Sequence, residues 1–261
     1  MSDPGTLWSI AWPALAAGVL VTITHVPLGM QVLARGIVFV DLAIAQIAGL
    51  GIVAAGWIGL DLSGWAAQGC ALTAALLGAS LLTWTDRRWP QMQEAIIGVA
   101  FVLAASSALL LLAANPHGGE QLKAMLEGQI LWVGSRQLVV LALAYVTLAA
   151  IAFCLRRRAG RIGFYLLFAC VVTASVQLVG LYLVFTTLIV PALATHRMAR
   201  HRLVAGYGLG ILGYALGLAL SIVTDLPSGP AIVWTLCVLA SVFACCVSNA
   251  AAPSVNGPER G

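Results

Sequence analysis

Asp41 stands inside a helix-length apolar run, Gly36–Leu60, with Gln46 just behind it. A carboxylate at membrane depth is costly unless it faces water, a partner or an ion, which makes Asp41 and Gln46 candidates for a translocation pathway. The competing role for Asp41 is structural, because it lies only a few residues into the run. There its carboxylate could snorkel to the interface or pair with Arg35. A second candidate is the pair His117 and Glu120 in the glycine-rich stretch Asn115–Glu120. Outside the membrane such a pair could receive a metal ion or meet a delivery protein, or simply form a turn. His196 and His201 are five residues apart, about 140° around a helix, and are poor partners for one metal.

Other chemistry is missing. Lys123 is the single lysine, and no G-x-x-x-x-G-K-[ST] loop is present to cradle a phosphate. There is no H-E-x-x-H, no G-x-S-x-G and no Cys/His set at zinc-ligand spacing. Asp41 stands nearly alone, with Glu94 at the cytoplasmic mouth of the fourth span. These absences argue against an enzyme. If ATP drives any movement, another polypeptide hydrolyses it.

The elements that must hold these residues are membrane helices. Hydrophobic residues make up 61% of the chain, charged residues 8%, and the mean hydropathy is +1.01. Soluble domains carry about 25% charged residues. Uncharged or nearly uncharged runs recur at Trp8–Ala34, Leu42–Leu60, Leu62–Thr85, Ala95–Ala114, Gln137–Leu155, Ile162–Thr195, Leu203–Thr224 and Ala231–Asn249. Each is long enough for a crossing of about 20 residues. Ile162–Thr195 as one helix would be about 50 Å long, too much for a core of about 30 Å, so it should break near Gly180 and return. The expected fold is therefore all-α and polytopic, with eight or nine transmembrane helices. It forms one permease-like domain over residues 1–250 and a short cytoplasmic tail over 251–261.

Charge follows this topology. All of the 13 basic residues except Lys123 and Arg136 fall on one side if the long run folds back. The positive-inside rule makes that side cytoplasmic, leaving the N-terminus outside and the C-terminus inside. The N-terminal stretch has no Lys or Arg, which argues against a cleaved signal peptide. The net charge of +4 is thus a topology signal, and no nucleic-acid partner is expected. The six cysteines sit in or at the end of apolar runs and read as packing residues. Gly206, Gly210, Gly213 and Gly217 give G-x-x-x-G spacings, as in closely packed membrane helices. The small residues of the second span, among them Ala45, Ala48, Gly49 and Gly51, could serve packing within one bundle or across a two-fold axis.

The stretch Gln177–Thr195, QLVGLYLVFTTLIVPALAT, resembles the segment by which zinc/manganese-type ABC importer permeases are recognised. Other stretches fit in the same order: Arg35 ahead of Phe39 and Asp41, Glu94–Phe101, Gly128–Val133 and Asp225–Val233. The resemblance covers about Arg35 to residue 240. It implies a plasma-membrane permease that dimerises with a second copy and pairs with a cytosolic ABC ATPase. A divalent metal ion, zinc or manganese, would arrive as substrate from an extracytoplasmic metal-binding protein, with no cofactor bound to the permease. The segment with Pro191, His196, Arg197 and Arg200 would couple to the ATPase and drive alternating access.

Two departures are informative. Many family members place an Asp and a His four residues apart in the second span, on one helix face suited to a divalent ion. Here Leu42 matches the Asp and Gln46 the His, with Asp41 one residue earlier. The family's longer acidic helix is also missing at Arg156–Arg161. The alternatives from other classes are a secondary transporter or ion channel, in which discontinuous helices also frame a midplane site, and a non-transporting membrane subunit.

Overall fold

The computed structural model describes residues 4–60, 64–113, 115, 118–155, 160–198 and 200–250. Among these residues ten α-helices run in order: α1 Pro4–Arg35, α2 Val40–Trp57, α3 Trp65–Arg88, α4 Gln93–Leu112, α5 Gly118–Glu127, α6 Ser135–Leu155, α7 Gly160–Val179, α8 Leu181–Ala194, α9 Arg202–Thr224 and α10 Ser228–Ala250. Short 3-10 turns at Pro90–Met92 and Ile130–Trp132 precede α4 and α6. No strand occurs among the described residues. Among the described residues eight helices are long and apolar enough to cross a membrane, and α8 is a shorter apolar helix of 14 residues. The fold is that of an all-α polytopic membrane protein.

The break expected in Ile162–Thr195 falls at Gly180, whose φ of 86° an L side chain rarely adopts. At 14 residues α8 is only about 21 Å long, short of a hydrocarbon core of about 30 Å. The chain therefore turns back well inside the bundle. Residues read as a plain outer loop instead form α5, an amphipathic helix whose Met125 and partly buried Leu126 pack inward. Sequence reasoning missed it because ten residues with two lysine- or glutamate-bearing turns carry no membrane-span signal.

Two apolar cores organise the subunit. One joins α2, α3, α4 and α7 around Ile44, Leu82, Ile97 and Phe168. The other joins α1, α8, α9 and α10 around Val21, Leu183, Tyr214 and Ile232. Close helix approach holds the second together. A Cβ at Gly29 would lie 1.8 Å from the Leu188 carbonyl oxygen, so the α1 and α8 backbones nearly touch there. Gly206 and Gly210 face α1 at Val26 and Thr22, whereas Gly213 and Gly217 face α10 at Leu236 and Ile232. The G-x-x-x-G residues thus pack within one subunit. On α2, Gly51 likewise abuts α3 and Gly49 abuts Met125.

Pro27 lies inside α1 and cannot donate to the Ile23 carbonyl four residues back. That carbonyl accepts from the Tyr207 hydroxyl of α9 at 3.4 Å. A cross-helix bond thus serves a backbone group that proline leaves open, as lipid-embedded helices require.

Candidate functional site: a glutamine-lined chamber at the seam of two cores

Where the α7–α8 break meets α2, the bundle forms a partly open chamber of about 250 Å³. Gln46 and Gly49 of α2, Gln68 of α3, Gln121 and Met125 of α5, and Thr173 and Gln177 of α7 line it, with Gln129 at the foot of α5. None of its lining residues is ionisable. Thr173 is buried, and its hydroxyl has no hydrogen-bond partner among the described residues.

Tight backbone contact fixes the roof. Gly128 (φ 71°) and Gly180 (φ 86°) face each other, and a Cβ on Gly180 would lie 2.3 Å from the Gly128 nitrogen. A Cβ on Gly229 would come within 2.4 Å of the Glu127 carbonyl oxygen. The end of α5 is thereby seated between the α7–α8 break and the start of α10.

The structure separates the two pathway candidates. Gln46 reaches the chamber. Asp41 is in the first turn of α2, fully buried, and both carboxylate oxygens lack a hydrogen-bond partner among the described residues. It neither snorkels nor bonds Arg35, whose guanidinium instead lies 3.9 Å from the Phe164 ring centroid. Beside it, the Phe39 N–H donates to Glu94 Oε1 at 3.2 Å, which ties α4 to the start of α2. Glu94 Oε2 is buried without a partner. Two carboxylates therefore sit at the amide-rich end of α2, where the helix dipole favours negative charge.

The segment after α8 divides between interior and surface. Pro191 is buried within α8, while His196, Arg197 and Arg200 are exposed beyond its end. Arg202 donates from Nη2 to the Ala192 carbonyl at 3.2 Å, and Thr195 Oγ1 donates to the Pro191 carbonyl at 2.8 Å. These bonds satisfy carbonyls at the α8 terminus and hold the next segment against it. On the other side, Glu120 is exposed in the first turn of α5, and His117 lies outside the described residues. No group of three or more His, Cys, Asp or Glu side chains converges among the described residues.

Four chamber glutamines escaped notice in the sequence: Gln68, Gln121, Gln129 and Gln177. The available signal was an uncharged amide recurring in otherwise apolar segments, and only Gln46 was weighed.

A family model for the ABC 3 transport family matches residues 8–160 and 148–247. The chain belongs to the ABC 3 transport family. The two matched pieces overlap around the short link at 156–161, where the resemblance had also departed from the family pattern. Among solved structures, PsaBC from Streptococcus pneumoniae, in complex with Fab, superposes with a TM-score of 0.68 at 20% identity, covering 89% of this chain and 90% of that one. An inward-facing transporter assigned to the metal-chelate ABC type gives a TM-score of 0.66 at 16% identity, with 91% and 85% covered. At such identities these likenesses concern the fold. Family membership selects the ABC permease over the secondary transporter and the ion channel, and implies an ATPase partner.

Proposed function

We propose that this permease imports a divalent metal ion across the plasma membrane. It works as a homodimer with a separate cytosolic ABC ATPase and receives its cargo from an extracytoplasmic metal-binding protein. The observation that carries this reading is a glutamine-lined chamber, open on one side, between membrane helices in a chain of the ABC 3 transport family. The transporter whose fold this chain shares is assigned to the metal-chelate type, which accords with metal as the cargo.

Charge asymmetry supports an N-terminus outside and a C-terminal tail in the cytoplasm. In that orientation α5 covers the chamber from outside, and Glu120, in its first turn, stands where cargo arrives. Asp41 and Glu94 stand on the cytoplasmic side of the chamber, where a cation leaving it would meet negative charge. His196, Arg197 and Arg200 form the exposed contact with the ATPase, and Pro191 holds the geometry of the helix behind them. Closure of the ATPase pair on ATP moves α8, which contacts α1 at Gly29 and the chamber at Leu181, and alternates access between the two sides.

The test is purification of the tagged protein from native membranes in mild detergent. A cytosolic ATPase recovered in equal amount, with hydrolysis stimulated by metal and binding protein in liposomes, supports the reading. Recovery of the permease alone after gentle crosslinking, in membranes that express the ATPase, would sink it.

A further inference from the structure

The chamber residues are chemically unlike those that strip and hold a transition-metal ion. Such sites use imidazole, thiolate or carboxylate ligands, usually several together. Here the polar side chains are five glutamines and one threonine, without a charge among them. A bare divalent cation held by these uncharged side chains would exchange part of its hydration for neutral amides, with no anion to offset the loss. Neutral amides suit a different guest, because each offers both a carbonyl acceptor and an NH₂ donor. They can grip the waters or organic donors already surrounding an ion.

The chamber, about 250 Å³ and open on one side, has room for several waters around an ion. Among the described residues Gln46, Gln68, Gln121 and Gln177 are half-buried and make no side-chain hydrogen bond, and Gln129 is exposed at the edge of the chamber. The buried Thr173 hydroxyl provides an independent sign, since a buried polar atom without a partner wants one. It lines the same chamber.

We infer that the chamber takes a divalent cation inside its own ligand shell, of water or of a small organic chelator, and recognises that shell through Gln46, Gln68, Gln121, Gln129, Gln177 and Thr173. This rests on the import reading and specifies its cargo. Gln46 then acts by hydrogen bonding to the shell, and replacing it with a metal ligand should trap the ion.

The experiment uses the complete transporter in proteoliposomes, supplied with Mn²⁺ or Zn²⁺ as the chloride or as the citrate complex. X-ray absorption at the metal edge should show an oxygen shell without imidazole scattering in the wild type. Gln46→His should tighten Zn²⁺ binding by about tenfold or more, add imidazole scattering and slow uptake. Gln177→Leu should lower uptake about tenfold by leaving shell donors unpaired. Equal uptake of chloride and citrate forms identifies a water shell, and uptake that needs citrate identifies an organic one; both support the inference. Imidazole or sulfur scattering in the wild type, or a Gln46→His transporter indistinguishable from it, overturns the inference while leaving metal import standing. A complex with active ATPase that moves no divalent metal in either form removes the import reading itself, and the inference with it.

Discussion

Asp41 destabilises the subunit in the conformation seen here, since a fully buried carboxylate with no hydrogen-bond donor loses its hydration and gains nothing local in return. Its place in the first turn of α2 offsets part of that cost through the helix dipole. A residue retained only for packing would be better as leucine. Asp41→Asn should therefore raise the unfolding temperature of the detergent-solubilised permease while reducing metal uptake. The gain comes from removing the buried charge alone and should be small, since the Asn amide still leaves buried polar atoms unpaired. Thermal denaturation and uptake in the same preparation decide it; unchanged uptake with normal expression would dispose of a pathway role. Asp41 and Gln46 were both legible as anomalies, because a charge or an amide in an apolar run is visible in sequence. Their separation was not. Asp41 lies about 140° around α2 from Gln46, and only the packing of α4 and α7 decides which face meets a chamber. Gln177 opens the family-like stretch, yet its position there says nothing about the cavity it lines.

At the scale of elements, the seat between α5 and the α7–α8 break is the most constrained joint. Gly128 and Gly180 combine positive φ with backbone contacts that no Cβ fits. Either Gly→Ala change meets both penalties, of which the backbone strain alone is about 1–3 kcal/mol. Gly180→Ala and Gly128→Ala should each lower the melting temperature and impair uptake, whereas Gly98→Ala, with open space around its Cα, should leave both near wild type. Comparable melting curves for all three would show that the joint is not under such constraint. The break itself was readable because Ile162–Thr195 is too long to cross once, and Gly180 is where an L-residue helix can most cheaply stop. The helix count followed from hydropathy, since lipid leaves the backbone few options. The α5 helix was not readable: its polarity matches a loop, and its helicity depends on packing Met125 against Gly49 and seating Glu127 against Gly229.

Over the whole molecule, charge and burial divide the work between surfaces. Large apolar side chains such as Leu110 of α4, Val146 of α6 and Trp234 of α10 are exposed, as expected of faces turned to lipid or a second subunit. Ionisable groups gather at the ends of the helices, and those exposed after α8 among the described residues are all basic: His196, Arg197, Arg200 and His201. Positive-inside bias alone explains basic residues there, but it makes no demand on their particular positions. Docking to a partner does. If this surface carries the ATPase, Arg197→Glu with Arg200→Glu should sharply reduce the ATPase that co-purifies, with the larger loss at low salt, where exposed charges are least screened. The same reversal at Arg87 and Arg88, which end α3 on the same side, should cost much less, although it changes net charge equally. Arg202 is the informative third case. Its Nη2 bond to the Ala192 carbonyl holds the α8 terminus, so Arg202→Ala should leave the ATPase bound but weaken the link between its hydrolysis and uptake. Equal loss of ATPase from the Arg87/Arg88 and Arg197/Arg200 variants would mean that a general cytoplasmic field, rather than the α8 end, holds the partner.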